Sequence, residues 1–169
     1  MILPDWMLRE RLAADLIVTP LAPGAIQPSS IDLRLGPKLL IATADGFDPY
    51  DLSDGPLRIY QRHFILGATL EHVEIPPDLV GVLVGKSSRA REGIQVEAAG
   101  YVDPGWRGNL TLEIVHLSPQ PVFLMPGMLI AQLRIEQLAA PCRVPYGQVG
   151  RYQDSIGPVP SRAVVGRAS

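Results

Sequence analysis

The sequence predicts an all-β domain of many short strands with one short helix at its N-terminus, and three observations carry that reading. Apolar and polar residues alternate with a period of two through several segments, the mark of half-buried strands. Breakers interrupt the chain at short intervals, with 16 glycines and 17 prolines; together they make about a fifth of the residues, against a usual share of about 12%. The length of 169 residues suits one domain rather than two, and a domain of this size buries roughly 70% of its unfolded surface without staples.

Taken in order, Asp5 stands where it can cap an amphipathic helix running through Asp15, with Trp6, Leu8, Leu12 and Leu16 available to pack. The period then changes to two. Ser30 to Leu35 places Ile31, Leu33 and Leu35 inward, and Leu79 to Val84 is an apolar strand. Leu110, Leu112 and Ile114 form the core face of another strand, and Leu129, Leu133 and Ile135 that of a last one. Pro76-Pro77, Pro104-Gly105, Ser118-Pro119-Gln120-Pro121 and Pro126-Gly127 separate the strands. Two segments lack this regularity. Ala44 to Pro56, with Asp45, Asp48, Asp51 and Asp54, reads as a solvated loop. Pro145 to Ser169 reads as a frayed tail, which composition alone favours, or as a flap that closes over a ligand.

Composition excludes several functions. A net charge of −2 with 19% charged residues does not suit a disordered charged tail or a surface that coats nucleic acid. One cysteine, Cys142, leaves no disulfide framework and no multi-cysteine zinc site. Pro141-Cys142 lacks both the second cysteine and the His-x-Glu of zinc deaminases, so no zinc is expected. His63, His72 and His116 are far apart and read as structural or surface residues. The N-terminus has no basic region followed by an apolar one, and no apolar run approaches the ~20 residues of a membrane span. A soluble, cytoplasmic protein is expected.

Three places carry chemistry. Gly85-Lys86-Ser87-Ser88-Arg89-Ala90-Arg91 puts two hydroxyls and three cations at a strand end that opens a helical turn. Such a loop offers many donors to phosphate oxygens; it is also what a solvated turn with helix-capping serines looks like. Glu113 points away from Leu110, Leu112 and Ile114, onto a face shared with Thr111, Val115 and Leu117. Apolar surroundings raise a carboxyl pKa toward the range useful for moving protons, although a strand glutamate is more commonly paired to an arginine. Asp103, before Pro104-Gly105, sits in a turn that can aim its carboxylate at a sugar hydroxyl, and Asp-Pro is equally an ordinary turn former.

Taken together, these segments resemble the dCTP deaminase family of the dUTPase-like superfamily. The matching blocks run from Gln27 to Gly36, Gly85 to Arg91, Ala99 to Gly108, Leu110 to Glu113, Pro126 to Leu133, Pro145-Tyr146 and Arg151 to Arg162, in family order along nearly the whole chain. The resemblance implies a single β-clip, dUTPase-like domain over 1–169, a distorted barrel or jelly roll of short strands, with 146–169 as a C-terminal lid. It implies a homotrimer with active sites between subunits, hydrolysing dCTP to dUTP and ammonia for thymidylate synthesis. By matching position Glu113 carries the protons, Ser87 and the Ala99 carbonyl fix the water, and Arg91 holds that constellation. Lys86, Ser87, Ser88, Arg89, Ala90 and Arg91 take the triphosphate, and Asp103 takes the 3′-hydroxyl. Thr111 and Leu112 line the base site, while Gln132, Tyr146 and Arg151 touch the nucleotide. Magnesium arrives on the triphosphate, and dUTP and dTTP are expected as product or inhibitor-type ligands.

The chain departs from the family pattern in the lid. Tyr152-Gln153-Asp154-Ser155 stands where the pattern reads Tyr-Gln-Gly-Gln, Arg151 replaces a lysine, and Ala98 fills a slot usually polar. The altered lid at Asp154 and Ser155 favours a second class of function, a non-catalytic trimer that senses dNTPs. A further alternative lies in Ala99-Gly100-Tyr101, which resembles members that carry dCTP through dUTP to dUMP and diphosphate.

Overall fold

The computed structural model describes residues 1–97 and 100–162, with Glu97 described by its backbone alone. Helix α1 (Asp5–Ala14) leads into strands β1 (Ile17–Thr19), β2 (Ile26–Gln27), β3 (Ser30–Arg34), β4 (Lys38–Thr43) and β5 (Gly46–Asp51). A 3-10 turn, Leu52–Asp54, precedes β6 (Leu57–Ile59), β7 (Phe64–Glu74) and β8 (Leu79–Gly85). The short helix α2 (Ser87–Arg91) follows, then β9 (Ile94–Glu97), β10 (Tyr101–Val102), β11 (Arg107–His116), β12 (Val122–Leu124), β13 (Leu129–Gln137) and the single turn α3 (Tyr146–Val149).

Two antiparallel sheets enclose one core. The first runs β5-β4-β7-β11-β9, with β1 paired to the end of β7. The second runs β10-β8-β13-β3-β2, and β6 with β12 makes a separate ribbon. These open, distorted sheets match the predicted fold class. The alternation holds where it was clearest: Leu110, Leu112 and Ile114 are buried, as are Ile31, Leu33 and Leu35. Burying these side chains from water is what closes the sheets on each other.

Four expectations need correction. Asp5 is not the cap: Pro4 precedes the helix without a side-chain cap bond, and Asp5 lies in the first turn, where its charge suits the helix dipole. Trp6 does not pack and is exposed, whereas Leu8 and Leu16 are buried. Ala44 to Pro56 is not a free loop but carries β5, hydrogen-bonded to β4 along its whole length, with mostly exposed side chains. Exposure on both faces is why the segment shows no period. In β13 the register shifts between Leu129 and Ala131, so Ile130 and Ala131 are buried and Leu129 is only half-buried; the bulge breaks the two-residue count.

The end of the chain is not frayed within the described residues. Beyond α3 it lies along the turn that leads into β11 and the strand's first residues, with Ser155 bridged to Gly108. Residues 163–169 of the proposed lid lie outside the described residues.

Candidate active site

Strand β11 sets Glu113 opposite Leu66 of β7 and opposite residue 97 of β9. Its neighbours in the chain, Leu112 and Ile114, are fully buried on the core side, so the strand's alternation turns Thr111 and Glu113 to the other face. There they line a cleft of about 530 Å³. Phe64 and Leu66 from β7 and Phe47 from β5 supply apolar surface to the same cleft, and Asp103 and Tyr101 border it. The cleft is therefore mostly apolar, with a few polar groups converging on it, the usual constitution of a small-molecule site. Leu112 was expected in the base site; it is fully buried and is not among the residues that line the cleft.

The C-terminal segment forms one wall. Tyr146, Tyr152, Val159 and Ser161 line the cleft, and the Tyr146 ring packs on Trp106 with centroids 5.2 Å apart. The Val159 N–H donates to Thr111 Oγ1 at 3.2 Å. Two glycines make this docking possible. Gly105 (φ +81°) would set a Cβ 2.5 Å from Pro145 Cβ, and Gly108 (φ +142°) would set one 2.9 Å from the Ser155 backbone. Left-handed backbone and close approach both call for glycine here. The Asp103-Pro104-Gly105-Trp106-Arg107-Gly108 turn thus serves two ends: it presents Asp103 and it seats the tail.

The phosphate-binding candidates lie elsewhere. Lys86 precedes α2 at the end of β8, and its Nζ donates to Asp32 Oδ2 at 2.7 Å. Gln132 of β13, opposite Asp32 in register, donates to Asp32 Oδ1 at 3.0 Å. Ser87, Ser88, Ala90 and Arg91 are exposed, and the serines do not cap the helix. Arg89 bonds the Leu129 carbonyl at 3.2 Å and pairs with Glu92. None of Lys86 to Arg91, nor Gln132 or Arg151, lines the Glu113 cleft. Arg151 is exposed, and its carbonyl accepts from Arg162. Ala99 lies outside the described residues.

Sequence reading missed Asp32, whose slot in the alternation is a polar, outward one. It is buried because Lys86 and Gln132 satisfy it, and no local pattern signals partners that distant. Phe47 was hidden in the acidic segment, and Trp106 and Tyr152 in turns. Among the described residues no three His, Cys, Asp or Glu side chains gather as a metal cage, and no helix is long and apolar enough to cross a membrane.

With this geometry in view, the comparisons are decisive. The profile of the family described as dCTP deaminase-like matches residues 2–138. The chain belongs to the dCTP deaminase-like family. It is 40% identical to a dCTP deaminase of Halorubrum lacusprofundi, over 96% of this chain and 91% of that protein. It is 39% identical to a dUMP-forming dCTP deaminase of Coprothermobacter proteolyticus, over 96% of each. The fold is similar to that of 2′-deoxycytidine 5′-triphosphate deaminase from Agrobacterium tumefaciens, with a TM-score of 0.68 and 25% identity, covering 80% of this chain and 47% of that one. The matched residues 2–138 include both the Glu113 strand and the Lys86 loop.

Proposed function

We propose that this chain is an enzyme that hydrolyses the C4 amine of dCTP, releasing ammonia and dUTP. The observation that supports this best is Glu113 in the lining of a mostly apolar cleft that Thr111 and Asp103 also line. Hydrolytic deamination needs water deprotonated for attack at C4, a proton placed on N3 and another on the departing amine. One positioned carboxylate can carry these in sequence. Glu113 takes that role, and Asp103 accepts from the 3′-hydroxyl. Lys86, with the serines and arginines of the following turn, receives the triphosphate, whose magnesium enters as part of the substrate. The Ala99 carbonyl and Ser87 hold the water, with Arg91 positioning them.

A homotrimer follows from the same reading. On a single chain the proton carrier sits in the cleft, while the exposed Ser87, Ser88 and Arg91 lie outside its lining. Symmetric assembly brings unlike parts of identical chains together, and a site between subunits unites the two groups. The apolar Leu117, 52% exposed just past the end of β11, suits such an interface. The cytoplasm, where nucleotide pools are made, is the matching compartment.

A second reading carries the product on to dUMP and diphosphate. Gly100 and Tyr101 favour it: they border the cleft beside Asp103, where a glycine leaves room for a second water near the α-phosphate. Several relatives are named dUMP-forming. The sensing alternative rests on the altered lid at Asp154 and Ser155, where Asp154 is paired with Arg107. Incubation with dCTP and magnesium decides among the three. Ammonia with intact triphosphate in the phosphorus NMR spectrum is the deaminase. Ammonia with free diphosphate is the dUMP-forming enzyme, and bound dCTP without ammonia sinks both.

A further inference from the structure

The segment that walls the cleft is held mainly by polar contacts. Asp154 N donates to the Arg107 carbonyl at 2.8 Å and Asn109 N to the Ser155 carbonyl at 2.9 Å. Gln153 bridges the same turn, accepting from Arg107 N at 3.2 Å and donating to the Gly105 carbonyl at 3.1 Å. Gly157 N donates to Asn109 Oδ1 at 3.2 Å. From Gln153 to Gly157 little apolar surface helps, since Ile156 is 90% exposed, and the apolar anchor of the strap is Tyr152 at its start, packed against the core. A strap with few buried apolar contacts opens locally at small cost.

Across it lies one charged clamp. The Arg107 guanidinium meets Asp154 with both prongs, Nε on Oδ1 and Nη2 on Oδ2, the latter at 3.0 Å. Asp154 adopts φ +60°, a left-handed conformation that aspartate and asparagine tolerate better than most residues. That conformation aims the carboxylate back at the turn it docks on. A planar two-pronged pair fixes direction as well as distance.

We infer that Arg107 and Asp154 are a positioning pair for the reaction: they hold residues 152–159 on the Gly105–Asn109 turn, so that Tyr146, Tyr152 and Val159 stand as a wall of the Glu113 cleft. The inference rests on the cleft being the nucleotide site. Neither residue lines the cleft, so both act through the strap. Because the pair is solvent-exposed, its hold weakens with salt, and nucleotide binding becomes easier or harder with the fraction of straps that are closed.

The test uses Arg107→Ala, Asp154→Asn and the double variant, full chain, with two readouts. The first is amide exchange of residues 152–159 without nucleotide. Each single change is expected to speed it by roughly three- to fivefold, the range of a well-formed exposed pair, with no further gain in the double variant. Arg107→Lys recovers only part, having lost the fork. In 0.5 M salt the wild-type rate rises toward that of the variants. The second readout is turnover: KM for dCTP rises by a similar factor, with kcat within twofold. Unchanged exchange in the single variants, or effects that simply add in the double variant, overturns the pair while leaving the function standing. A wild-type chain that neither binds nor turns over dCTP overturns the reading of the site, and the positioning role with it.

Discussion

The two halves of the proposed site are held by ion pairs of opposite character. Lys86 and Asp32 form a sealed pair, with side chains 20% and 5% exposed. Arg107 and Asp154 form an open one, at 52% and 55%. A buried carboxylate must be neutralised and fully hydrogen-bonded to be tolerated, and Asp32 therefore commits Lys86 and Gln132 to one arrangement. An exposed pair is screened and easily remade. The difference fits two tasks. A loop that receives triphosphate gains from being set before the ligand arrives, whereas a strap over a cleft must let ligand in and product out.

The largest expected effect separates chemistry from binding. Glu113→Gln keeps the shape of the side chain and removes the proton carrier. Ammonia release should fall by about 100-fold or more while dCTP still binds, measured by turnover and by calorimetric titration. Near-normal turnover would place the chemistry outside the cleft half. A mixing experiment then asks whether the halves come from different chains. Glu113→Gln and Arg91→Ala subunits are each expected to be nearly inactive. Unfolded and refolded together in equal amounts, they should recover about a quarter of wild-type activity if each site draws one half from each of two neighbours in a closed ring. No recovery would mean that both halves serve a site within one chain.

The two halves were not equally legible in the sequence. Glu113 could be read from its strand, because three flanking apolar residues at a period of two fix which way it points. The Lys86 loop could be read as a donor-rich strand end. Its support could not: Asp32 is 54 residues from Lys86 and 100 from Gln132 along the chain, and a polar slot in an alternating strand gives no sign of being buried. The strap was the least legible part. Glycine and proline dominate it, its contacts are mostly backbone and single hydrogen bonds, and such contacts leave no period. Asp154 looked like a misplaced charge until its partner was in view.

A smaller effect probes the sealed pair. Asp32→Ala leaves the Lys86 ammonium in a half-buried position without its counter-charge. Losing one member of a buried pair typically costs about 3–5 kcal/mol; the partial exposure of Lys86 points to the lower end, about 3 kcal/mol in urea unfolding. Replacing both, as Asp32→Leu with Lys86→Met, removes the unpaired charge and should recover much of that stability. It should not recover dCTP affinity, because the triphosphate loses its lysine. If the double variant bound dCTP normally, the loop half would have no part in nucleotide recognition.

The smallest effect concerns acid and the open pair. Hydrogen bonds from Arg107 hold the Asp154 carboxyl below its usual pKa. A carboxyl with a lowered folded-state value contributes its full stabilisation above the unfolded value of about 3.9 and loses it as pH falls toward the folded one. The strap of the wild-type chain should therefore loosen as pH drops below about 4. Asp51, held down to about 2 by Lys38, and Asp78, held to about 2 by Arg11, titrate over the same range and loosen other parts of the chain. The comparison that isolates the strap is with Asp154→Asn, which keeps those pairs and tolerates the same backbone angle. Cleavage at Tyr152 by pepsin, which works throughout this range, reads the opening directly. Above the carboxylate range the variant should be cut faster than the wild type; as pH falls the two rates should converge. A constant ratio from pH 4.5 to 2.5 would show that the Asp154 charge does not hold the strap, and the contrast between a sealed and an open clamp would then rest on the Lys86 side alone.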